Sequence, residues 1–175
     1  MNKEQLKQRK EQIKSQANIL KMVYDNVEII SYKLGLISCR MKNSSLRHLY
    51  KENEQIYSEY KIKSVVDSKY FIIIRLCENS NGKSTSLRTE VTNTILLNRR
   101  TSEEIIRFNN NIHVDKTICN GKYLILHSIV PYTSKDKPAY YLFNVNNNEF
   151  LVISYGGITE LLETVLNKIG KGAFK

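Results

Sequence analysis

Proline and glycine are scarce, two and seven in 175 residues, which excludes collagen-like and proline-rich architectures. No apolar run comes near the roughly 18 residues that a membrane span requires. The densest, Tyr70-Phe71-Ile72-Ile73-Ile74, has the length of a strand. The charged opening MNKEQLKQRKEQIK is not followed by an uninterrupted apolar segment, so no signal peptide is expected. Cysteine is limited to Cys39, Cys77 and Cys119, odd in number, widely separated and without a CxxC pair or a Cys/His cluster. That pattern argues against a disulfide framework and a structural zinc site, and it points to a reducing, cytoplasmic setting with no metal and no cofactor.

What is present is ordinary globular composition with a surplus of base. Hydrophobic residues make up 41% and charged residues 25%, enough for one domain with a real core or a small domain carrying an extension. The 27 Lys+Arg against 17 Asp+Glu give a net charge of +10 and favour an acidic partner. Lysine outnumbers arginine and asparagine is abundant, a bias that AT-rich codons share, so part of the composition is independent of function.

The first third reads as helix. Leu6, Ile13, Leu20, Val27, Leu34 and Met41 recur every seven residues, and Val23, Ile30 and Ile37 fill the intervening core positions, with Arg9 and Gln16 in the two earlier ones. Asp25-Asn26 and Gly35 mark possible kinks; a β reading of 27–39 is set aside because strict alternation fails there. Asn43-Ser44-Ser45 reads as an N-cap, and Leu46, Leu49, Tyr50, Ile56, Tyr57 and Tyr60 then suggest a second helix. Residues 1–62 are therefore expected to form one kinked helix or a helical hairpin, partly patterned as a coiled coil.

Residues 63–175 read as an antiparallel sheet with helices. The run 69–77 suits a central strand covered on both faces, Asn79-Ser80-Asn81-Gly82 a turn, and 87–91 a strand with one wet face. Thr101-Ser102-Glu103-Glu104 has the form of a capping box, which predicts a short middle helix through Phe108. Asn120-Gly121 predicts a hairpin that sets Ile118 opposite Tyr123, Val114 opposite His127 and His113 opposite Ser128. A second hairpin is expected around Asn146, Asn147 and Asn148, and a C-terminal amphipathic helix from Ile158 to Ile169. The fold class expected from these elements is α+β.

Most chemistries searched for are absent. The segment from Cys77 to Gly82-Lys83-Ser84 resembles a phosphate loop only in its end; Cys77 stands where the first glycine belongs, and strand follows where a helix must. His113, Asp115 and Ser128 fall near one another, but on flat strands with no nucleophile elbow, so no catalytic residue is assigned. His127 reads as a core histidine and His48 as a surface one. His113 and Asp115 have no third ligand at a recognisable spacing, and the three cysteines lie in apolar segments, as structural thiols do.

The remaining signal is the placement of base. Lys3, Lys7, Lys10 and Lys14 step along one helical side with Arg9 beside them, and Arg99, Arg100 and Arg107 flank the expected middle helix. These eight residues are the candidate nucleic-acid contacts, and tyrosines such as Tyr50, Tyr57, Tyr60, Tyr140 and Tyr141 could stack on bases. No sequence-reading motif accompanies them. The leading expectation is a basic, non-enzymatic regulatory or accessory protein that contacts nucleic acid or a nucleoprotein complex. An alternative is a protein-interaction module, inhibitor or adaptor that docks or forms a homodimer through Ile13, Leu20, Val27, Leu34 and Met41. A third is a small hydrolase or nuclease around His113, Asp115 and Ser128.

Overall fold

A continuous apolar run suits a strand whose two faces are both covered, and Phe71–Glu78, buried on alternate residues of both faces, is such a strand at the heart of the first sheet. The structure is a computed structural model that describes residues 1–44, 46–78, 91–129, 139–154 and 158–170. The chain divides into two compact units, Met1–Glu104 and Ile105–Lys175.

The first unit begins with α1 (Lys3–Leu20) and continues through β1 (Asn26–Ser31), β2 (Leu36–Arg40), β3 (Arg47–Lys51), β4 (Glu54–Ile56), β5 (Tyr60–Asp67), β6 (Phe71–Glu78) and β7 (Asn93–Asn98). Its strands pair in the order β1-β2-β3-β5-β6-β7, with β4 beside β3, and every paired register is antiparallel. One core joins Leu34, Leu36, Leu49, Ile62, Ile72, Ile74, Leu76, Ile95 and Leu97. A second lies between α1 and the first strands, where Ile13 and Ala17 cover Ile37 and Cys39. β2 is thus buried on both faces, Leu36 in one core and Ile37 in the other. Each such aliphatic side chain removed from water contributes about 1.5–3 kcal/mol.

The second unit is reached through β8 (Glu104–Phe108). A meander of β9 (Ile112–Ile118), β10 (Tyr123–Ser128), β11 (Tyr140–Asn144) and β12 (Glu149–Ser154) follows, then α2 (Ile158–Ile169). Leu161 and Val165 of α2 seal a core against Ile118, Ile125 and Leu142.

The long N-terminal helical segment and the middle helix are corrected by this architecture. The fold is mostly β, 48% strand and 19% helix, with two helices among the described residues. It is not α+β with a coiled-coil-like start. Helix stops at Leu20, and 26–51 is three strands joined by turns. Val27 and Ile29 alternate with exposed Asn26 and Glu28, as a half-buried strand requires. Gly35 (φ +64°), Asn43 (φ +54°) and the pair Glu52-Asn53 (φ +52° and +72°) adopt the left-handed conformation, which turns strands back and which an α-helix cannot contain.

The capping box of Thr101–Glu104 opens no helix, because Asn98 captures the turn first. Its Oδ1 accepts the N–H groups of Arg100 and Thr101 at 2.8 and 3.3 Å. Ser102 then turns left-handed (φ +62°), and the β-branched Ile105 and Ile106 continue as β8. The expected 1–62 and 63–175 division falls within β5. The phosphate-loop resemblance (77–84), the turn 79–82 and the strand 87–91 lie largely or wholly outside the described residues.

Candidate functional site

The sequence of α1 supplies its own start. Asn2 Oδ1 accepts the Gln5 N–H at 2.8 Å while Gln5 Oε1 accepts the Asn2 N–H at 3.0 Å, satisfying two donors that a helix start otherwise leaves open. The Gln/Lys/Glu-rich body that follows consists of good helix formers. Ile13 and Ala17 pin one side to the sheet. At 3.6 residues per turn, Lys3, Lys7, Lys10 and Lys14 then fall within an arc of about 60° that borders this buried side. All four are exposed. Lys21, the C-cap residue, extends the same row, which runs about 27 Å at 1.5 Å per residue.

No carboxylate pairs with these lysines among the described residues; Lys10 lies 6.0 Å from the centre of the Tyr32 ring. The arginines are used differently. Arg9 forms an ion pair with Glu52 above Gly35. Arg99 grips Asp67 with two nitrogens, Nε at 2.8 Å and Nη2 at 3.1 Å, the bidentate geometry that a guanidinium favours. Arg100 is exposed in the β7–β8 turn, and Arg107 lies on β8 with its own partners. The middle helix that these arginines were expected to flank is the strand β8.

The seven-residue apolar series is dispersed by the fold. Ile13 and Leu20 belong to α1 and face the sheet, Val27 lies on β1, Leu34 enters the main core, and Met41 follows β2 with 39% exposure. Together they form no docking stripe. The tyrosines are also engaged. Tyr57 and Tyr60 pack against the main core. Tyr141 packs on Phe150. Tyr50 donates to or accepts from Tyr24 at 2.8 Å.

Tyr24 organises a polar cluster under α1. Its hydroxyl also meets His48 Nδ1 at 3.0 Å, so His48 is a half-buried strand residue and not a helix-surface one. Burial first, then the bond to Tyr50, push the Tyr24 phenol well above its usual range. Burial pushes the Cys39 thiol up to about 11, which makes it unreactive. A cavity of about 80 Å³ lies alongside, lined by Gln16, Ile19, Leu20, Ile37, Tyr50 and Asn53. It is large enough for water and too small for a cofactor.

Protein-family models, curated proteins and solved structures yield no match to this chain. No helix among the described residues is long and apolar enough to cross a membrane.

A second cluster forms on β9 and β10. Next to the turn the pairing follows the sequence expectation, with Ile118 opposite Tyr123. At Asp115 one extra residue enters β9, and beyond it Val114 faces Leu126 and His113 faces His127. A one-residue slip carries every later side chain to the other face of the sheet. His113 thereby joins His127, with ring centroids 5.1 Å apart. Asp115 Oδ2 lies 2.7 Å from His127 Nδ1 and its Oδ1 lies 3.8 Å from His113 Nε2. The Tyr140 ring backs His127 at 5.4 Å. Ser128, the neighbour of His127 along the strand, points to the opposite face, where its Oγ accepts the Ala139 N–H at 2.9 Å. The expected grouping of His113, Asp115 and Ser128 is thus replaced by His113, Asp115 and His127. A bulge carries no glycine or turn signature here, so the sequence held no sign of it. Among the described residues, no three His, Cys, Asp or Glu side chains are arranged to hold a metal ion.

Proposed function

We propose that this protein binds nucleic acid through the lysine row of α1, by charge and without reading base sequence. The observation that carries this reading is the contrast within one unit: Arg9 and Arg99 are committed to Glu52 and Asp67, whereas Lys3, Lys7, Lys10 and Lys14 stand exposed on one side of a helix held by the sheet. The first unit carries 19 Lys+Arg against 12 Asp+Glu, so the row lies on the more basic half of the chain. Each lysine that meets a phosphate releases condensed counterions, which is the main source of sequence-independent affinity. Arg100 is a further exposed cation of the same unit. Three free cysteines fit a cytoplasmic setting.

The test is the affinity of a labelled 30-nucleotide single strand for the full chain and for a Lys7→Glu/Lys10→Glu/Lys14→Glu variant at low salt. The reading expects affinity to fall at least about tenfold, since three charge reversals remove three phosphate contacts and add repulsion. Equal affinity in a variant with an unchanged circular dichroism spectrum overturns it.

A further inference from the structure

We infer that His113, Asp115 and His127 form an acid–base centre that cleaves RNA by internal transesterification, an activity that rests on the nucleic-acid reading for its substrate class. A carboxylate can only accept hydrogen bonds. Asp115 at 2.7 Å therefore places the proton of neutral His127 on Nδ1 and leaves Nε2 as a lone pair able to take a proton. Asp115 is held for this role, its side chain 18% exposed, while His127 is 24% exposed and His113 51%. The Tyr140 ring on one side and the Asp115 bond on the other fix the His127 imidazole. His113 stands across the strand pair with its ring 5.1 Å from that of His127, so a group lying over the two rings reaches both.

Among the described residues the cluster pairs a base with a second proton carrier and no serine or threonine hydroxyl: Ser128 Oγ is turned to the other face and bonded to Ala139. Chemistry at such a centre suits a substrate that brings its own nucleophile. RNA does so with its 2′-hydroxyl, adjacent to each phosphodiester. His127 Nε2 takes the proton of the 2′-hydroxyl as O2′ bonds to phosphorus. The bond from phosphorus to O5′ breaks, and protonated His113 gives its proton to the departing O5′. The products are a 2′,3′-cyclic phosphate and a 5′-hydroxyl. The two histidines exchange protonation states and are restored by proton exchange with water. DNA lacks the nucleophile and is left intact.

The experiment uses the full chain with two oligonucleotides, a DNA strand carrying one ribonucleotide and a 2′-O-methyl RNA of the same sequence. The first reports cleavage and the second reports binding, because it carries no free 2′-hydroxyl. The inference expects scission at the single ribonucleotide with cyclic-phosphate ends and a bell-shaped pH–rate profile. His127→Ala and His113→Ala are each expected to lower the rate by about 100-fold or more while binding the 2′-O-methyl strand as tightly as before. His127→Gln serves as the second variant if His127→Ala unfolds. Asp115 is a positioning residue, so Asp115→Asn is expected to lower the rate and shift the base limb of the profile. Binding of the 2′-O-methyl strand with no scission, scission that survives loss of either histidine, or scission of the first strand between its deoxyribonucleotides overturns the acid–base centre alone. Failure to bind the 2′-O-methyl strand overturns the nucleic-acid reading, and this inference with it.

Discussion

His113 and His127 face each other across β9 and β10, ring centroids 5.1 Å apart, because Asp115 is an extra residue in β9. Without that insertion the two imidazoles project from opposite faces of the sheet. The bulge is therefore the device that turns two separate polar positions into one cluster, and its carboxylate is also the group that orients His127.

The tautomer of His127 follows from this geometry and is measurable directly. Imidazole nitrogen-15 spectra of the full chain above neutral pH should show Nδ1 protonated and Nε2 bare. Asp115→Ala should relax that assignment to the mixture of an unconstrained histidine. A wild-type spectrum with Nε2 protonated contradicts the contact.

Gly35 is required for two reasons, its left-handed backbone (φ +64°) and the closeness of the Arg9–Glu52 pair, whose atoms lie 3.0 and 3.1 Å from where a Cβ would stand. Gly35→Ala should destabilise the protein by roughly 1–2 kcal/mol, the cost of the left-handed region for an L-residue. Gly35→Asn should cost less on the backbone, since asparagine tolerates that conformation. Urea denaturation with both variants checks the order.

The apolar series separates into buried and idle members. Ile13, 1% exposed between α1 and β2, should cost roughly 2–5 kcal/mol when cut to alanine. Met41, although seven residues apart in the same series as Leu34, should change stability by no more than about 0.5 kcal/mol. A coiled coil would weigh its repeated positions more evenly, so comparable losses at the two sites count against this fold.

Alkaline pH should unfold the first unit through groups buried under α1. Burial raises the Cys39 thiol from 9.0 to about 11 and raises the Tyr24 phenol as well. Both stay protonated in the folded chain after the unfolded chain has begun to ionise. The Cys39 contribution is therefore complete below pH 9 and is lost as pH rises through about 11, and that of Tyr24 is lost at higher pH still. The urea midpoint should hold to about pH 8.5 and then fall, more steeply in the wild type than in Cys39→Ala. Parallel pH curves contradict it.

Much of the second unit could be read from its residues. Asn120-Gly121 placed a turn, with Cys119, Asn120 and Gly121 all at positive φ. The Asn146–Asn148 segment placed another, and the apolar spacing of 158–169 placed α2. In the first unit, the run around Ile72 showed a strand buried on both faces. The N-terminal half misled because seven-residue spacing is common to two turns of helix and to unrelated strands. There Val27 and Ile29 alternate correctly, but Ile30 interrupts the pattern as the extra residue of the β1 bulge. The left-handed turns at Asn43 and Glu52-Asn53 carry no glycine to announce them. The lysine spacing on α1 was legible because that helix is real. The histidine pair was not, because a single inserted residue decides it and leaves local composition unchanged.

Single-strand binding through the lysine row of α1 should weaken steeply as salt rises. If Lys3, Lys7, Lys10 and Lys14 each displace a counterion, log K against log salt should be linear with a slope of about −3, near −0.7 per contact. Replacing all four by glutamine should remove most of the slope, while Arg9→Gln, whose guanidinium already holds Glu52, leaves it nearly unchanged. Binding that is insensitive to salt, or a slope that survives loss of the four lysines, contradicts the account.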